Sequence, residues 1–84
     1  MNNEEVFAEL QEILKEFEVE IKYGRGYFEG GLCRYNEGQF IYLNRAKDLD
    51  NHIALIISEL KNFDLKGVRL STEIANLLRE SEKN

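Results

Sequence analysis

Few residues in this 84-residue chain could do chemistry: one cysteine, Cys33, one histidine, His52, and carboxylates scattered along its length. A thiol acts as its thiolate and needs a base or a positive environment beside it. Here the only imidazole falls in a different element. Cys33 therefore reads as a small buried or half-buried strand residue, and His52 as a partly exposed residue at the start of a helix beside Asp48. A zinc site normally takes three or four His, Cys or carboxylate ligands at short spacings, which one His and one Cys do not supply. Glu29, Asp48 and Asp50 are the one set of acids that could converge on a harder cation, although solvated surface acids are the simpler reading. No catalytic, cofactor or metal residue is assigned. The chain is read as not an enzyme and as needing no cofactor.

Gly24-Arg25-Gly26 invites comparison with phosphate-binding loops. The dinucleotide fingerprint would place its third glycine at position 29, which is Glu29, and would lead into a helix. A strand pattern follows instead, so turn geometry explains these glycines. A second pattern interleaves Lys22, Arg25, Arg34 and Arg45 with Tyr23, Tyr27, Phe28, Tyr35, Phe40 and Tyr42, a mixture able to stack bases and neutralise phosphates. About half of those aromatics must face the core of any half-buried sheet. A protein interface made of Phe40, Tyr42, Tyr35 and Arg34 is therefore favoured over a nucleic-acid surface using Lys22, Arg25, Arg34 and Tyr42.

These residues lie between two helical patterns. Val6, Leu10, Ile13, Leu14 and Phe17 recur at helical spacing and predict a helix over about 3–17, capped by Asn2 or Asn3. Val19, Ile21 and Tyr23 alternate with Glu20 and Lys22, the period of a strand with one wet face. Two further strands are expected at about 27–35 and 39–43, joined by short turns at Gly24-Arg25-Gly26 and Asn36-Glu37-Gly38, with a bend at Gly30-Gly31. Leu49, Ile53, Ile56, Ile57 and Leu60 predict a second, central helix over 49–61, capped by Asp48 or Asp50. After a break at 62–67, which tucks in Phe63 and Leu65, Ser71 caps a third helix over 72–80 that turns Ile74, Leu77 and Leu78 inward. Consecutive strands joined by short turns predict an α+β fold, α-β-β-β-α-α. It consists of a three-stranded antiparallel meander with the helices on one face.

Size and charge bound the rest. Residues 1–84 read as one small domain with a small core, 43% hydrophobic and without proline. No apolar run approaches the roughly 20 residues of a membrane span, and the acidic start lacks a basic-then-apolar leader pattern. The cytoplasm is the expected compartment. The net charge of −5 is uneven: residues 1–20 carry seven glutamates against Lys15, which leaves the remainder near neutral. That disfavours generic phosphate-backbone binding. It also makes the first helix a possible docking surface for a basic partner.

Where the third strand runs into the second helix, the chain resembles the core of the ImmA/IrrE-like zinc metallopeptidases. Gly31-Leu32-Cys33, then Phe40-Ile41-Tyr42-Leu43-Asn44-Arg45, leads to Ala54-Leu55-Ile56-Ile57-Ser58-Glu59-Leu60-Lys61-Asn62, so the resemblance spans about 19–62. It implies a Gly-containing hairpin and an aliphatic strand that lead to a helix bearing His-Glu-x-x-His. Only Glu59 of that motif is retained; Ser58 and Asn62 stand where the two metal-binding histidines would be. The resemblance thus implies at most a vestigial, inactive metallopeptidase-like domain, with the look otherwise of short bacterial proteins. The expected function is a non-catalytic interaction module that forms a homodimer or takes a protein partner. The alternation sends Phe40 and Tyr42 to the face opposite Ile41 and Leu43, and that face is the one expected to need a partner.

Overall fold

Asn2 starts the first helix by a reciprocal cap. Its side-chain oxygen accepts from the Glu5 amide at 2.8 Å, while the Glu5 carboxylate accepts from the Asn2 amide at 3.3 Å. The computed structural model describes residues 2–27, 30–35 and 38–82. In it this helix, α1, spans Asn3–Glu16 and buries Val6, Leu10, Ile13 and Leu14. The helix ends as Phe17 and Glu18 return their amides to the carbonyls of Leu14 and Lys15. Glu18 sits at φ 58, the left-handed conformation common just past a helix C-terminus.

Three strands follow: β1, Val19–Gly24; β2, Gly31–Tyr35; and β3, Gly38–Asn44. They do not form the expected antiparallel meander. The order is β1-β3-β2, with β1 parallel to β3 in the register Ile21↔Ile41, and β2 antiparallel to β3 in the register Cys33↔Phe40. Two physical causes act together. Ile41 and Leu43 are both 0% exposed, so β3 has the most to gain from a place flanked on both sides. The segment from Gly24 to Gly31 is also not a tight turn. The strand order takes the chain across the end of β3 there, and the described residues of this crossing loop include Gly26, Gly30 and Gly31 at positive φ. A parallel pair needs a connection of about a dozen residues or more, and residues 25–37, β2 included, provide it. The bend expected inside the second strand therefore marks that strand's entry. Phe28, Glu29, Asn36 and Glu37, which fall within the expected second strand and its closing turn, lie outside the described residues.

Asp48 caps α2, Leu49–Leu60, by accepting from the Asn51 amide at 2.9 Å. Ser71 caps α3, Thr72–Glu82, through its hydroxyl and the Ile74 amide at 3.2 Å. α2 is central: it packs against α1, α3, β2 and β3, while α1 lies over β1. The core is the layer between helices and sheet, where Leu10, Leu14, Ile41, Leu43, Ile56, Leu60 and Ile74 are fully enclosed. Phe17, just past α1, and Phe63, in the 61–71 connection, meet ring edge to ring face at 4.9 Å. No described helix is long and apolar enough to cross a membrane.

Candidate interaction surface

With the helices on one side, the parity of the strands decides what the other side carries. Val19, Ile21, Ile41, Leu43 and Leu32 join or pack against the core, whereas Phe40 and Tyr42 do not. The register sets Phe40 beside Glu20 and Cys33, and Tyr42 beside Lys22 and Gly31. The open face is therefore built around two aromatic rings, 5.9 Å apart and tilted. The Lys22 ammonium lies 4.6 Å above the Phe40 ring, a cation held by the ring's negative face. Tyr42 lies across Gly24, where a Cβ would fall 2.3 Å from the ring carbon Cε1. The ring covers a strand position that glycine leaves bare. Both aromatics are half-buried.

Of the four residues expected to form an interface, Phe40 and Tyr42 share this face. Arg34 pairs with Gln39, so it points to the helix side and is exposed there. Tyr35 has the strand parity of Cys33, but its side chain lies outside the described residues. The nucleic-acid set is scattered too: Lys22 and Tyr42 share the open face with Glu20, Arg25 stands in the crossing loop, and Arg34 faces the other way. Cys33 is exposed on the open face instead of buried. Its thiol lies 3.9 Å from the Gly31 carbonyl, at the limit of a weak sulfur contact.

His52 belongs to a different device. It is 8% exposed on the helix side of the sheet, so the sheet separates it from Cys33 and no nucleophile and base come together. The expectation of a partly exposed helix residue is corrected: His52, Ile56 and Leu60 recur every four residues along the buried face of α2. That spacing was the available signal for its burial. Nε2 of His52 lies 2.9 Å from the Asn44 carbonyl oxygen, which can only accept, so the ring carries its proton there. Asn44, 3% exposed, donates from Nδ2 to the Gly26 carbonyl at 2.8 Å, and its Oδ1 accepts from the Ala46 amide at 3.0 Å. One asparagine and one histidine thus tie together the crossing loop, the end of β3 and the start of α2. Tyr23 sits at their margin, 40% exposed, between the His52 ring at 6.0 Å and the Arg45 guanidinium at 5.3 Å.

The described carboxylates do not gather. Asp48 caps α2, Asp50 accepts from the Asn3 side-chain amide, and Glu29 lies outside the described residues. Among the described residues no three His, Cys, Asp or Glu side chains stand close enough to share an ion. Glu59 is half-buried, whereas Ser58 and Asn62 are exposed. Asp50 also lines, with Glu80, a recess of about 390 Å³ floored by Val6, Ile53, Ile57 and Leu77, where the start of α1 meets α2 and the end of α3. Comparison with known proteins gave no family model, no curated protein and no solved structure that matches the chain.

Proposed function

We propose that the protein is a small, non-catalytic, cytoplasmic interaction module that associates with itself and meets protein partners through the open face of its sheet. The observation that carries the reading is the one-sided architecture. Helices α1 and α2 pack on the face of Ile41 and Leu43, with α3 against α2, while Phe40 and Tyr42 stand outside the core on the other face. Aromatic rings with a polar handle suit such a surface, because the ring can be buried while the hydroxyl stays bonded at the rim. The crossing loop, Asn44 and His52 then act as scaffold rather than as a reactive centre. They hold the strand that presents the rings.

Sedimentation across the micromolar range tests this, on the native chain and on Phe40→Asp and Tyr42→Asp. The expected result is an associating native protein whose association or solubility changes when either ring is replaced. A monomer throughout, with both substitutions harmless to solubility and stability, removes the reading. Labelled single strands serve as the control. Binding that weakens as salt rises would replace it with a nucleic-acid function.

A further inference from the structure

The sheet has two outer strands, and one of them is self-complementary. The Gly24 carbonyl accepts from the Arg45 amide at 2.8 Å, while Gly24 itself stands opposite Asn44. Gly24 therefore turns its backbone groups toward β3. In a parallel ladder successive residues alternate, so Lys22 and Glu20 do the same. Val19, Ile21 and Tyr23 direct theirs to the outer edge, and β3 is the only described strand that β1 pairs with. On the open face, the two side chains that flank Ile21 are Glu20 and Lys22, both exposed.

We propose that two copies of this chain pair antiparallel along β1 about a two-fold axis at Ile21, joining their sheets into one continuous sheet. This rests on the self-association proposed above but moves its join from the open face to the edge of β1. With Ile21 opposite its own copy, the backbone groups of Val19, Ile21 and Tyr23 meet those of Tyr23, Ile21 and Val19. Each Glu20 then stands opposite a Lys22, in the closer, non-hydrogen-bonded pairing. The neighbouring two-fold registers fail on charge: centred on Glu20 they oppose two carboxylates, and centred on Lys22 two ammonium groups. Glutamate and lysine on an edge normally repel strand addition. In this order they select one register.

Two more features fit that register. Tyr23, 40% exposed on the helix side, comes to lie beside the Val19 of the second copy. There a recess of about 310 Å³, lined by Gln11, Lys15, Val19, Glu20 and Ile21, opens between α1 and the strand edge. The opposite outer strand, β2, offers no such match, since Gly31–Tyr35 holds one charge, Arg34, and no acid. The axis stands perpendicular to the sheet, so the Phe40 and Tyr42 rings of both copies share one enlarged open face. The edge joins the copies and leaves that face for a partner.

A charge swap tests the proposal by sedimentation equilibrium. Lys22→Glu opposes two carboxylates twice and should weaken the dimer by about tenfold or more. Glu20→Lys combined with Lys22→Glu restores both pairs and should restore the native dimer. The double variant matters because Lys22 also covers Phe40. Amide exchange on the native chain is the independent reading: Val19, Ile21 and Tyr23 should gain protection as concentration rises, while Glu20 and Lys22, bonded within the sheet, should not change. A swap that fails to restore association, or edge amides indifferent to concentration, overturns the edge pairing. If Phe40→Asp dissociates the dimer and Lys22→Glu does not, the join is on the open face and self-association survives without the edge. A native chain that stays monomeric at every concentration sinks both.

Discussion

Gly30 shows how a single position can decide a crossing. It holds φ +97, and a Cβ there would fall 2.5 Å from the Tyr42 carbonyl oxygen and 3.0 Å from a Leu55 methyl. The backbone of β3 cannot yield as a side chain can. Gly30→Ala should therefore cost about 2 kcal/mol or more, combining positive-φ strain with a steric clash. Gly67→Ala, at φ +80 with open space around it, should cost only the strain, about 1 kcal/mol. Urea unfolding of the two variants side by side checks the difference, and equal losses would show that crowding at the crossing is unimportant. Asn44→Ala should cost about 1–3 kcal/mol, because the buried side chain gives up two hydrogen bonds, to the Gly26 carbonyl and from the Ala46 amide, each worth about 0.5–1.5 kcal/mol.

At the scale of elements, local chemistry was the most legible part. Helical spacing and a cap such as Asn2, Asp48 or Ser71 are short-range facts, and all three helices begin at the residue after those caps. The strands were legible as elements but not as neighbours. Alternation in Val19–Tyr23 states which side chains share a face and says nothing of which strand lies alongside. Strand order is decided by competition for the centre, which Ile41 and Leu43 win through complete burial in the core, a property of the assembled layers that alternation does not state. The Asn44–His52 lock was missed for a related reason: its partners are brought together only after the crossing loop has chosen its path. Two tests belong here. Asn2→Ala removes the α1 cap and should lower stability by about 0.5–2 kcal/mol. Glu18→Gly, at φ 58, relieves a left-handed conformation that glycine tolerates and should raise stability by about 0.5–1 kcal/mol. Thermal melts compare both with the native chain, and a Glu18→Gly variant that melts lower would mean that the turn gains from the side chain.

For the whole molecule, the division of labour between the two sheet faces yields the sharpest expectation, because adjacent residues of one strand should respond in opposite ways. A chain of this size has a total stability on the order of 5 kcal/mol. Leu43 is 0% exposed and packed into the only core among the described residues. Truncating it leaves a cavity whose cost is about 2–5 kcal/mol, enough to unfold much of the population. Tyr42, its neighbour, stands outside that core, across Gly24 and beside Phe40. Tyr42→Ala leaves that core intact and should cost less than Leu43→Ala, about 1 kcal/mol. If the open face exists to bind, its loss appears instead in association. The paired experiment is urea unfolding and sedimentation on Leu43→Ala and Tyr42→Ala. Leu43→Ala should collapse stability, whereas Tyr42→Ala should leave the fold standing and alter solubility or assembly. Equal destabilisation by both would mean that the aromatic face is a second core covered in the working protein. A Tyr42→Ala variant indistinguishable from the native chain in both measurements would leave the face without a task.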